Sequence, residues 1–511
     1  MARFFKKLSR LSRAKQAQLF LVVLIASATL LFSKAFSQFF SADDWFHLRL
    51  VRIESFSEFI NYFSFVRTDQ SASFYRPIPT QVFFHLMYAL FGLESTWWYV
   101  MVWLVSVVVT ALVFFLTRKL IDQPTAMVAT TLYTLSQTQY TRLLFLSAFQ
   151  ELMLVLFALL SCLAVLAKRT RRNRILSLLS FMVALMSKET AVIIPGLLLL
   201  IMVWRELKEK KNLSLPQVFR SSLVTLTPFF VVTALYVVLR FGVFGFAATA
   251  ISDYELSFSL GSTVHTLSWY ILWSLGAAEG FINYVGSGFS VLPRFYLDFP
   301  YWGKAHLMSL VATSAVLILC VVSWVWNRRS ELVSFRRLLE HLRSNYWLYS
   351  GGVWFLVALL PVLFLPQHKY ALSLGLPMIG LSLLLGQLIV QRFRTFGWLL
   401  FVSLIALNVT AVQMHNRTHY TLLRSKISRA VYHYMQSTFP DPSAGTALHF
   451  INDMEGNPSN WGVSKQIKQA LMGDEFFRVV YPGKNIQVWY ADDAGDIPDS
   501  AVKIGSQQFF Q

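Results

Sequence analysis

Apolar runs long enough to cross a bilayer recur along this chain, and basic residues gather on alternate connections between them. A transmembrane helix needs about 20 apolar residues. Such runs lie near 17–40, 97–117, 123–141, 143–167, 221–243, 304–326, 346–366, 371–391 and 395–414. The basic clusters begin with Arg3, Lys6, Lys7, Arg10, Arg13 and Lys15, then Arg118 and Lys119, then Lys168, Arg169, Arg171, Arg172 and Arg174. Arg205, Lys208, Lys210, Lys211 and Arg220 follow, then Arg328, Arg329, Arg336, Arg337 and Arg343, and last Arg392 and Arg394. These 25 basic residues share their segments with only five acids, whereas the other connections up to 414 hold 11 Lys/Arg and 12 Asp/Glu. That asymmetry is the positive-inside pattern. It assigns the clusters to the cytoplasm and accounts for the net charge of +19 without a nucleic-acid partner.

Parity constrains the remainder. Arg174 and Arg205 both fall on the cytoplasmic side, so the apolar stretch between them crosses an even number of times. It reads as two short helices, about 175–187 and 190–204, with the turn Ser187-Lys188-Glu189 recessed into the membrane or a cavity. Thirteen residues span only about 20 Å at the helical rise, less than the bilayer core. The total is eleven spans, with the N-terminus inside and the C-terminus outside. The first run has a basic flank like a signal peptide, but it stays apolar to Phe40 without a small-residue cleavage site, so it reads as a signal anchor. Charged residues make up 14% of the 511, against about 25% in a soluble domain. Cys162 and Cys320, the two cysteines, both sit in apolar runs and form no CxxC pattern.

Two long connections, 41–96 and 244–303, fall outside by this parity. Within the first, 77–93 shows one-sided helical spacing too short to span, with Pro77 near its start, and reads as an interfacial helix. Within the second, 264–284 is rich in Trp and Tyr around Glu279 and reads as an in-plane or re-entrant helix. The fold class is therefore an all-α polytopic membrane domain over 1–414. A small extracytoplasmic α/β domain follows over 415–511. Its nine Lys/Arg balance nine Asp/Glu, and its pattern predicts helices at 418–437 and 462–472 and strands near 446–451, 477–481 and 486–490.

The residues with chemistry gather toward one face. Asp43 and Asp44 follow the first span directly, in Ser41-Ala42-Asp43-Asp44-Trp45-Phe46-His47. Adjacent carboxylates raise one another's pKa and make a base; as a bland alternative they only cap a helix. Arg76, in Phe74-Tyr75-Arg76-Pro77, suits a bidentate phosphate contact or an interfacial anchor. Arg142 and Glu151 flank the outer end of the 143–167 run, where an acid needs a partner or a cavity; an ion pair with Arg142 or Lys188 is the structural reading. Lys188 and Glu189 are either functional or a local pair. His368, Lys369 and Tyr370 occupy the turn between the 346–366 and 371–391 runs, where a cation meets a lipid head group or simply snorkels. No GxxxxGK[ST], GxGxxG after a strand, or HExxH motif occurs.

Taken in order and sidedness, these motifs resemble the membrane-embedded C-type (GT-C) glycosyltransferases that use polyprenyl-phosphate sugars. Protein O-mannosyltransferases and the tetratricopeptide-bearing transmembrane O-mannosyltransferases are the most similar. Residues 41–44 look like that family's acidic motif, 74–92 like its Ser-Tyr-Arg-Pro-Leu segment, and 187–190 like its Ser-Lys-Glu-Thr. Residues 368–377 resemble its Arg-Tyr-Leu-Tyr-Leu-Pro turn through His368-Lys369-Tyr370 and Pro377, with Lys369 where the family has Arg. No tetratricopeptide repeats follow residue 414.

The resemblance implies an enzyme of a bacterial inner membrane that moves a sugar from a polyprenyl-phosphate carrier to a hydroxyl acceptor by inverting displacement. Asp43, with Asp44 as the second catalytic candidate, would be the base, and cations such as Lys369, Arg76 or Lys188 would stabilise the donor phosphate. Membrane lipid, the lipid-linked sugar and an acceptor are the implied partners. Some family members bind a divalent ion through paired carboxylates, which leaves Asp43, Asp44 and Glu151 open as ligands. A flippase of lipid-linked sugars is the competing reading, but it predicts repeat symmetry and acids at mid-span. A non-enzymatic scaffold gives Asp43-Asp44 and Lys188-Glu189 no task. The sugar-transfer reading expects the early aspartates and the 368–369 turn to serve one pocket.

Overall fold

A computed structural model describes residues 12–66, 74–209, 215–245, 254–286, 290–326, 346–453, 462–491, 493 and 496–510. Arg3, Lys6, Lys7, Arg10, Lys210, Lys211 and the basic cluster of 328–343 lie outside the described residues. Two compact units form, each assembled from separate stretches. One takes in 1–33, 104–142 and 151–415, the other 34–103, 143–150 and 416–511.

Among the described residues, eight helices are long and apolar enough to span a membrane: Arg13–Leu31, Ser95–Leu120, Leu146–Leu166, Glu189–Leu207, Pro216–Val243, Trp302–Trp326, Ala371–Arg392 and Phe396–Thr438. Helices also occupy the other three predicted runs, but they are shorter: Gln123–Thr134, Arg171–Leu185 and Tyr346–Leu363. Burial explains how a short helix serves here. Eight of the 12 residues of Gln123–Thr134 are buried, so its length is matched to protein neighbours rather than to lipid. It ends where Ser136 turns its hydroxyl back to accept from the Thr138 N–H.

Small residues set a close helix contact in this first unit. A Cβ added to Gly351, on Tyr346–Leu363, would meet the Gly380 carbonyl at 2.7 Å, and one added to Gly380 would meet the Gly351 carbonyl at 2.6 Å. Only glycine lets the Tyr346–Leu363 and Gly375–Gln387 backbones approach this far. The tight pair fixes the turn between them, which carries His368, Lys369 and Tyr370. The 264–284 segment is the helix Leu260–Leu275, closed by Gly276 at φ +115°, and a 3-10 turn Glu279–Tyr284.

The second unit holds the predicted 77–93 helix, observed as a wide turn Ile78–Val82 continuing into Phe83–Phe91. Its C-terminal part has the helix Tyr420–Thr438 and a three-stranded parallel sheet in the order β2-β1-β3. The strands are β1 (Ala447–Ile451), β2 (Gln487–Tyr490) and β3 (Val502–Gly505), with Leu448 opposite both Val488 and Val502. The crossover helix Val463–Leu471 follows β1, as a parallel pair requires. One prediction is corrected. The segment near 477–481 is not a strand but the end of the helix Glu475–Val480. Phe476, Phe477 and Val479 are buried there at helical spacing, so the run of apolar residues reflects a buried helix face. β3 escaped prediction because only Ile504 of its four residues is fully buried.

Candidate active site

In the second unit the two aspartates have opposite environments. Both open the short helix Asp43–Leu50. Asp44 is fully buried. Its Oδ1 accepts from the Ser147 N–H at 2.8 Å and the Ser147 hydroxyl at 2.6 Å, and its Oδ2 accepts from the Ser41 N–H at 3.0 Å. Burial pushes its pKa up to about 7 against these three donors. Asp43 is exposed, and among the described residues no ion pair engages it. The protein crowding around it raises its pKa above the ordinary carboxylate value, while Arg424 and then Arg76 pull it back down.

Arg76 is buried, donates to Gln150 Oε1 and lies over the Phe74 ring at 4.3 Å. His47, one turn beyond Asp43, is held neutral. Burial, then the Arg76 charge, lowers it to about 3. Its ring packs on Phe84 at 5.2 Å.

The other predicted residues belong to the first unit. Glu151 and Lys188 are 2% and 7% exposed and form an ion pair. Lys188 is extended, φ −161° and ψ 141°, between the helix Arg171–Leu185 and the 3-10 turn Glu189–Ile193, whose first residue Glu189 is half-buried. A cavity beside Glu151 is lined by Thr190, Ser373, Leu376 and Pro377. Glu151, the recessed turn and the residues after Tyr370 therefore meet around one opening.

Arg142 is fully buried, and its Nη2 donates to Thr138 Oγ1 at 3.3 Å. Gly375 gives it room, since a Cβ there would stand 2.6 Å from Nη1. His368 stacks on Tyr254 at 4.2 Å, with Tyr370 edge-on at 4.9 Å. The Lys369 ammonium donates to the Pro366 carbonyl, and burial lowers its pKa.

Several residues that build these clusters were not among the predicted ones. Glu279 accepts from the Ala371 N–H at 2.8 Å and so ties the 3-10 turn Glu279–Tyr284 to the late turn. Its own N–H donates to His415 Nε2 at 3.1 Å. An acid within an aromatic apolar run was a visible signal for it. Ser147 and Arg424 gave none, because each acts on an aspartate remote in sequence, Ser147 by hydrogen bonds and Arg424 by its charge. Among the described residues no group of three or more His, Cys, Asp or Glu side chains is arranged to hold a metal ion.

Residues 76–236 match the sequence model of the dolichyl-phosphate-mannose-protein mannosyltransferase family. The chain is similar to that family over this stretch, which contains Arg76, Arg142, Glu151, Lys188 and Glu189. No curated protein matches the chain by sequence. Among solved structures, the oligosaccharyltransferase of Archaeoglobus fulgidus in complex with zinc and sulfate aligns at 13% identity and a TM-score of 0.40. The alignment covers 88% of this chain and 61% of that one, so the chain spans about three fifths of that enzyme's length. The archaeal oligosaccharyltransferase AglB, also from Archaeoglobus fulgidus, with an inhibitory peptide and a dolichol phosphate, aligns at 12% identity and a TM-score of 0.39, over 90% and 64%. ArnT from Cupriavidus metallidurans bound to undecaprenyl phosphate aligns at 13% identity and a TM-score of 0.37, over 93% and 90%.

Proposed function

We propose that the protein is an integral membrane glycosyltransferase that moves a sugar from a polyprenyl-phosphate carrier to a hydroxyl acceptor on the extracytoplasmic face of a bacterial inner membrane. The observation that carries this reading is the mannosyltransferase-family match over 76–236, which takes in the cations and acids picked out beforehand. The basic asymmetry of the connections supports a cytoplasmic N-terminus and an external C-terminus.

In this reading Asp43 is the general base. It is exposed and has no ion pair among the described residues, whereas Asp44 uses its acceptors on Ser147 and Ser41 and holds the loop. Asp43 takes the proton of the acceptor hydroxyl as that oxygen attacks the anomeric carbon. The bond from the anomeric carbon to the lipid phosphate breaks on the opposite side, with inversion, and the phosphate leaves with the bonding electrons. Fixed cations in a low-dielectric setting stabilise that charge; Arg76, Lys188 and Lys369 are the candidates, with Arg142 and His368 as further donor-phosphate or substrate-binding residues. Tyr370 and the aromatic residues of the outer segments confine sugar and prenyl chain. Among the described residues Asp43, Asp44 and Glu151 do not come together as a metal-donor set.

The test is Asp43→Asn in the purified full chain, reconstituted with polyprenyl-phosphate sugars and assayed for transfer. Loss of about 10²- to 10⁴-fold in kcat is expected for removal of a general base, with the melting temperature unchanged. Activity that survives the substitution overturns the base assignment. Movement of the lipid-linked sugar across the bilayer without transfer overturns the enzyme reading in favour of a flippase.

A further inference from the structure

A helix leaves its last carbonyls without intrahelical partners. In the helix Val463–Leu471, the carbonyl of Ala470 accepts a hydrogen bond from the N–H of Ala42 at 2.7 Å. Ala42 immediately precedes Asp43, and its backbone stands at φ +51°, ψ −127°, where L side chains rarely sit. Such a conformation persists only when the surroundings over-determine it.

The surroundings come from the C-terminal segment. The Phe39 N–H donates to Ser425 Oγ at 2.7 Å, and the Trp45 indole N–H donates to Ser428 Oγ at 2.9 Å. The Trp45 ring also meets Phe476 edge-on at 4.8 Å. Arg49 pairs with Glu475, and Arg52 donates to the Val479 carbonyl. These contacts recur along residues 39–52 on both sides of Asp43. Arg424, held by Gln469 at 3.0 Å, adds a positive charge that acts on Asp43.

We propose that the C-terminal α/β segment is the positioning element of the base. Ser425, Ser428 and the Ala470 carbonyl set the backbone from which Asp43 projects, and Arg424 supplies a positive charge near it without pairing to it. The inference rests on the reading of Asp43 as the base. The charged and titratable groups around Asp43 are Arg424, Arg76, neighbouring Asp44 and His47, which stays neutral through the working pH range.

The experiment compares Arg424→Gln and Arg424→Lys in the reconstituted full chain. A base works when deprotonated, so losing the cation raises the pKa of Asp43 and moves the acidic limb of kcat/KM upward, by about one pH unit. Arg424→Gln is expected to lower kcat about tenfold with the donor KM unchanged, and Arg424→Lys to restore both. An unmoved limb and an unchanged kcat in Arg424→Gln overturn the proposal. Should the wild type transfer no sugar at all, the function reading falls separately, and amide exchange decides the positioning. The double variant Ser425→Ala, Ser428→Ala is expected to accelerate exchange of the Ala42 amide, and unchanged protection overturns the inference.

Discussion

Glu151 and Asp43 are both acids close to the ends of apolar helices, yet the two regions treat them oppositely. Glu151 opens a membrane helix and is closed off by Lys188, each burying nearly all of its side chain. Asp43 opens a short helix of the other unit, stays exposed, and feels Arg424 and Arg76 without pairing to either. The difference is one of dielectric. A carboxylate inside a helical bundle has no water to fall back on and must be neutralised in place. A proton acceptor must instead remain reachable. On the proposed reading, the contrast predicts that the buried pair contributes to stability and that the exposed acid is the one placed to act as the base.

Breaking the buried pair tests the first half of that statement and has the largest expected effect. Lys188→Ala leaves Glu151 charged and unpartnered, which costs about 3–5 kcal/mol. Thermal unfolding in detergent should show a lowered midpoint, and the double variant Glu151→Gln, Lys188→Met should recover most of it. If Lys188→Ala instead melts like the wild type and only raises the donor KM, the comparison breaks. Lys188 would then be a phosphate ligand first and a structural cation second.

The second half sharpens within a single dipeptide. Asp44→Asn keeps one oxygen for Ser147 but turns an amide N–H₂ toward the Ser41 N–H, two donors face to face. An unsatisfied buried group costs about 1–3 kcal/mol, so this variant should melt lower, whereas Asp43→Asn should not. A pH series separates them further. The Asp44 pKa is about 7 when folded and 3.8 as its reference, so the folded state binds the proton more tightly. Its contribution is present in full below about pH 4 and declines as pH rises toward 7. That part of the stability profile should vanish in Asp44→Asn. An unaltered profile would mean that the three donors, not burial, govern the group.

How much of this was legible in the sequence follows the range of each interaction. The helices of the membrane unit showed themselves because apolar length and the spacing of basic clusters are local features, and all eleven expected runs carry a helix. Lys188 was legible as a recessed cation because the apolar stretch between Arg174 and Arg205 has to turn back near its middle, although of the two helices there only Arg171–Leu185 is short and Glu189–Leu207 is long enough to span. Asp43 stood out by following a span directly. Its division of labour with Asp44 did not, because the decisive hydrogen bonds come from Ser147, 103 residues away. The same holds for Trp45 and Ser428, 383 residues apart. The strand expected near 477–481 failed because a short apolar run has no period of its own, and a helix face buried against Trp45 reads like a strand.

The smallest expected effect comes from the residue immediately before Asp43. Ala42 carries a backbone conformation suited to glycine, which for a non-glycine residue costs about 1–3 kcal/mol. Ala42→Gly removes that cost and loses about 0.5–1 kcal/mol to the greater freedom of glycine in the unfolded chain. The net result is a modest rise in the thermal midpoint, since the Ala42 N–H keeps its bond to the Ala470 carbonyl. A drop would show that the buried methyl group contributes more packing than the backbone releases in strain. A rise accompanied by a lower kcat has a sharper meaning: Asp43 would then be aimed by the strained residue before it as well as by the hydrogen bonds around it.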